Sequence, residues 1–122
     1  MPRRDIQLCA GEFYHFYNRG NNRERIFFER ENYLFFLRQL RQHLLPILDV
    51  VAYCLMPTHY HLLVRIKTTE VVRTGGPPET SAVSRAMMRF SVSYTKAMNK
   101  RYDRVGSLVI GLKASPCMNG LC

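Results

Sequence analysis

An α+β chain with the element order β-α-β-β-α-β is what this sequence predicts, and three observations carry that prediction. Two segments repeat apolar residues at the 3.6-residue spacing of a helix packed on one face. Four others are β-prone, and one of them, HYHLLVRIK, alternates with period two. The order of these pieces is met with short connections by a ferredoxin-like arrangement: one antiparallel sheet with both helices on the same face.

The first strand is read over residues 12–18, in the aromatic run EFYHFYNRG, and RGNNRERIF after it supplies turn chemistry through Gly20, Asn21 and Asn22. In ERENYLFFLRQLRQHLL the spacing of Tyr33, Phe36, Leu37, Leu40 and Leu44 predicts a helix, which Pro46 stops. Residues 48–56 read as the second strand, Pro57-Thr58 as a tight turn, and 59–67 as the third strand. Residues 68–80, TTEVVRTGGPPET, form a Gly/Pro loop without periodicity. A second helix over about 81–102 puts Val83, Met87, Phe90, Tyr94 and Met98 on one face and Arg85, Arg89, Lys96 and Lys100 on the opposite one. Residues 108–112 are strand-like. The domain is therefore read over 1–108, with 109–122 as a divergent or truncated tail. A short fourth strand would leave the first strand's edge partly unpaired, open to association and to a homodimer.

At 122 residues the chain has room for one domain with a modest core. Its 18 Lys and Arg against 9 Asp and Glu give a net charge of +9, which favours polyanionic partners, nucleic acid first among them. No apolar run reaches the roughly 18 residues of a membrane span, and MPRRDIQLCAGE has no apolar signal core. Cys9, Cys54, Cys117 and Cys122 show no paired spacing, which reads as reduced thiols in a cytoplasmic protein.

In the third strand His59, His61, Leu63, Arg65 and Lys67 share one face, while Tyr60, Leu62, Val64 and Ile66 share the other. The second set is apolar and belongs beneath the helices, so both histidines project from the face the helices leave open. Imidazole is the commonest protein metal ligand, and a divalent ion beside cationic side chains is what a phosphodiester needs for charge neutralisation.

EFYHFYNRGNNRERIFFERENYLFFL, AYCLMPTHYHLLVRI and SYTKAMNKRYDRVGSL together resemble the REP-associated tyrosine transposases, which belong to the HUH (His-hydrophobic-His) insertion-sequence transposases. The resemblance runs over about 11–108. His59-Tyr60-His61, preceded by Met56-Pro57, is similar to the family's HUH metal motif, and Arg19-Gly20-Asn21-Asn22-Arg23 to its loop after the first strand. It implies a DNA-binding protein that acts on single-stranded or REP-like hairpin DNA in DNA transposition or REP-element processing, a form of DNA recombination. It implies Mg²⁺ or Mn²⁺ at His59 and His61, and cleavage and rejoining through a 5′-phosphotyrosyl link. DNA contacts are expected at Arg19, Asn21, Asn22, Arg23 and Arg25, and from the third strand at Arg65 and Lys67.

The pattern breaks after Leu108. The family's nucleophile sits on a further helix, yet no tyrosine follows Tyr102 here, and Val109-Ile110 replaces an aromatic and a glutamine. The expectation is a truncated member without its nucleophile. Tyr94 and Tyr102 are weak substitutes, since both lie on or near the apolar stripe of the second helix. Tyr14, Tyr17, Tyr33 and Tyr53 read as core residues, and His15 as a structural histidine that would approach the metal site only if its side chain faces the open side. Two other readings stand beside this one: a non-catalytic nucleic-acid-binding module of the same element order, and a zinc site using Cys54 with His59 and His61.

Overall fold

The structure, a computed structural model, describes residues 8–67, 71–72 and 80–117. Period-two burial in FYHFYNR builds β1 (Phe13–Arg19), with Tyr14, Phe16 and Asn18 buried on one side. A single 3-10 turn (Asn21–Arg23) leads to α1 (Arg30–His43). Glu29 caps that helix reciprocally with Asn32: its carboxylate accepts from the Asn32 backbone N–H, and the Asn32 Oδ1 accepts from the Glu29 N–H at 2.9 Å. β2 (Leu48–Met56) and β3 (His59–Ile66) form a hairpin across Pro57-Thr58. Val71–Val72 (β4) and Thr80–Ser81 (β5) pair as a short ribbon, so part of the expected irregular loop is ordered; 68–70 and 73–79 lie outside the described residues. α2 (Ala82–Tyr102) and β6 (Lys113–Cys117) complete the chain.

Strand order in the main sheet is β2-β3-β1-β6, antiparallel at every pairing, as the ferredoxin-like arrangement requires. One face lies under both helices. Phe36 from α1 sits at the middle of this core, its ring 5.1 Å from Phe27, 5.0 Å from Tyr60, 4.9 Å from Phe90 and 5.3 Å from Tyr94. The five residues of the predicted α2 stripe are all buried. Burying one such side chain contributes about 2–3 kcal/mol, so this layer carries most of the stability.

The fourth strand departs from expectation. It is Lys113–Cys117, not 108–112, and it pairs with β1 from Phe13 to Tyr17. Leu108 is drawn into the core instead, Val109 makes one bridge to Gly20, and Gly111 turns the chain at φ 134. The Arg19 carbonyl accepts from the Ile110 N–H at 3.0 Å. β1 is therefore an interior strand rather than a partly open edge, and Lys113–Cys117 of the tail belong to the sheet; 118–122 lie outside the described residues. Pro116 is tolerated because β6 is an edge strand. Cys117 is disulfide-bonded, which corrects the reading of four reduced thiols. Among the described residues no helix is long and apolar enough to cross a membrane.

Candidate functional site

Antiparallel register decides which side chains meet on the uncovered face. Arg19 stands opposite His59, Tyr17 opposite His61, His15 opposite Leu63, and Phe13 opposite Arg65. On the other side of β3, Met56 stands opposite His59 and Cys54 opposite His61. Directly opposed residues project to the same face, so His15, Tyr17, Arg19, Cys54, His59 and His61 form one patch away from the helices.

The His59 and His61 rings lie 5.2 Å apart and nearly perpendicular, at 89°. Tyr17 is 4.8 Å from the His61 ring and 6.0 Å from that of His59. Thr58 Oγ1 engages Nδ1 of His59 at 3.2 Å, which leaves its Nε2 open. Nδ1 of His61 is engaged by Nε2 of His15 at 2.7 Å. Partial burial, followed by the neighbouring imidazoles of His15 and His59, holds the pKa of His61 below the usual 6.5. At neutral pH it is thus an uncharged imidazole with a lone pair, the form that binds metals.

Beside this patch the chain turns sharply. Gly20 has ordinary extended dihedrals, φ −64 and ψ 142, so its need for glycine is spatial: an added Cβ would fall 2.0 Å from the carbonyl oxygen of Glu24. The Gly20 N–H donates to the Thr58 carbonyl at 2.8 Å and the Asn21 N–H to that of Leu108 at 2.9 Å. Asn22 and Arg23 take left-handed dihedrals, φ 56 and 60, and both are exposed, as is Arg25. Arg104 ties the turn to the end of α2 through Glu24 at 3.1 Å. Arg19, Asn21, Asn22, Arg23 and Arg25 therefore gather at the His59 end of the sheet. Arg65 and Lys67 do not join them. Arg65 lies about 20 Å along β3 from His59, and both cations reach Asp49, at 3.8 and 3.4 Å.

The tyrosines separate into two groups. Tyr94 is buried, donates to the Ile26 carbonyl at 2.6 Å, and has its pKa raised by burial. Tyr102 bonds to Glu29 and Asn32 at the start of α1. Tyr60 faces the helices, and burial pushes its hydroxyl up to about 12. None of these reaches the histidine face. Tyr17 does, which corrects its reading as a core residue; Tyr53, 55% exposed on the outer strand β2, is not core either. His15 is likewise drawn into the site. The signal for both was in YHFY, where period two puts His15 and Tyr17 together, but aromatic residues on both faces hid which side is covered.

Among the described residues no group of three or more His, Cys, Asp or Glu is arranged to hold a metal ion. Cys54 is an exposed free thiol across from His61, but the three-ligand zinc set it would complete does not form.

No protein-family model matches the chain, and no curated protein matches it. Among solved structures it is similar to a REP-associated tyrosine transposase bound to a REP hairpin, with a TM-score of 0.67 over 98% of this chain at 12% sequence identity. The chain spans 64% of the length of that structure. At this identity the likeness is one of fold.

Proposed function

We propose that this chain is a transposase-like DNA-binding domain that takes single-stranded or hairpin DNA across its open sheet face, with a divalent ion at His59 and His61. The observation that carries the reading is their projection from one uncovered face beside Arg19 and the Asn21–Arg23 turn. A net charge of +9 and a likeness in fold to a hairpin-bound transposase support it.

The donor set fits a divalent ion in part. His59 and His61 each keep Nε2 for a ligand while Nδ1 is engaged, and two neutral imidazoles suit Mn²⁺ better than the harder Mg²⁺. When bound, the ion supplies neutralisation of charge on a phosphodiester oxygen. The chain's own groups do the rest. Arg19 and Arg23 bind phosphate, Asn21 and Asn22 offer donors and acceptors to base edges, and Tyr17 gives an unpaired base a ring to stack on. Tyr94 and Tyr102 are turned to the helix side, so on this reading the described residues bind DNA without cleaving it.

The test is a labelled single-stranded hairpin, titrated with and without Mn²⁺ and then run on a denaturing gel. Binding strengthened by Mn²⁺ is expected, with the Mn²⁺ effect lost in the His59→Ala, His61→Ala double variant and no covalent band. A band abolished by Tyr17→Phe would overturn the non-cleaving part. The aromatic setting of Tyr17 favours a second reading, a metal-independent base-stacking module. That reading predicts binding indifferent to Mn²⁺ and lost in Tyr17→Ala.

A further inference from the structure

His15 and His61 meet in a specific way. Their ring planes differ by 9° and their centroids lie 4.9 Å apart, with Nε2 of His15 2.7 Å from Nδ1 of His61. Each nitrogen lies about 1.1 Å from its own ring centre, so the bond plus two such radii accounts for the whole centroid separation. The rings are joined edge to edge along one line, the geometry of a directed N–H···N bond rather than of face-to-face packing.

Only one proton occupies that bond, and its side decides what His61 can do. If His15 donates from Nε2, neutral His61 carries its proton on Nε2 and has no lone pair for a metal on the open side. If His61 donates from Nδ1, its Nε2 lone pair is free. We propose that His15 is a positioning residue that accepts the Nδ1 proton of His61 and so fixes both the ring orientation and the metal-binding tautomer of His61. This rests on the metal reading above and deepens it, because it assigns the partner behind one ligand. His59 has a separate device, the Thr58 hydroxyl, so the two ligands are oriented independently. Outer partners of this kind are worth about 10–100-fold in metal affinity.

The experiment uses the full chain, labelled with ¹⁵N-histidine. Long-range ¹H–¹⁵N correlation without metal reports the His61 tautomer, and calorimetric titration with Mn²⁺ alone reports affinity. The expected result is a protonated Nδ1 and bare Nε2 on His61 in the wild type. His15→Ala should mix the tautomers and weaken Mn²⁺ binding about 10–100-fold, while His15→Gln, whose amide oxygen can accept the same proton, restores most of the affinity. Circular dichroism melts establish that each variant is folded; if His15→Ala is not, the wild-type tautomer and His15→Gln decide. A wild-type His61 protonated at Nε2, or Mn²⁺ affinity unchanged in His15→Ala, overturns the role of His15 while leaving the metal site standing. A wild type that takes up no Mn²⁺ overturns the metal reading, and this inference with it.

Discussion

Replacing Gly20 by alanine should damage fold and site together. The new Cβ would lie 2.0 Å from the Glu24 oxygen, 2.9 Å from its carbonyl carbon and 3.3 Å from its nitrogen, where real contacts essentially never fall under 3.0 Å. The obstruction is backbone, so no side-chain rotation relieves it and the two segments must part by about 1 Å. That movement pulls on bonds from Gly20 to Thr58 and from Asn21 to Leu108, which fasten it between the β2–β3 turn and the segment after α2. Losing both at about 1 kcal/mol each, with about 1–2 kcal/mol of strain, gives about 3–4 kcal/mol. A domain of this size would then melt about 10–20 °C lower. Gly106→Ala is the control. Its backbone is left-handed at φ +83 but nothing lies within 4 Å of an added Cβ, so it should cost only about 1 kcal/mol. Thermal melts followed by circular dichroism compare them. If Gly20→Ala melts no lower than Gly106→Ala, the steric account of this turn is wrong.

Other outcomes follow from the same geometry. Tyr94→Phe should cost about 1–2 kcal/mol in urea denaturation, because the Ile26 carbonyl loses its buried donor, and should leave hairpin affinity unchanged. Replacing Arg19, Arg23 and Arg25 by alanine should flatten the dependence of log K on log salt by about 2, the contribution of three phosphate contacts on a single strand, as read by fluorescence anisotropy. Glu29 is held below its ordinary 4.5 first by the Tyr102 hydroxyl and then by Arg101. A carboxyl depressed in the folded state stabilises above its unfolded value, and that stability is lost as pH falls through the folded one. Glu29→Gln should therefore lie further below wild type at pH 7 than near pH 3; an equal gap at both would refute the coupling.

The helices and the third strand were legible because their signals are local. Val83, Met87, Phe90, Tyr94 and Met98 each fall on a buried position, and HYHLLVRI alternates without a break. β6 was not legible, since KASPC has the composition of a loop and becomes a strand only because β1 offers it an edge. The pairing of Arg65 and Lys67 with Asp49 was equally hidden, for it depends on a register shift between Val50 and Ala52 that no spacing rule reveals. The face taken by His15 and Tyr17 needed the partner strand. His59 and His61 needed only their neighbours Tyr60 and Leu62.

The position of β6 also governs the timetable of assembly. β1, α1, β2 and β3 emerge from the ribosome early and can pair as soon as β3 is clear of the exit tunnel. The other side of β1 waits for Lys113–Cys117, a closure spanning roughly a hundred residues. Throughout that interval one side of an aromatic strand keeps its backbone groups unsatisfied, an edge on which another chain can template.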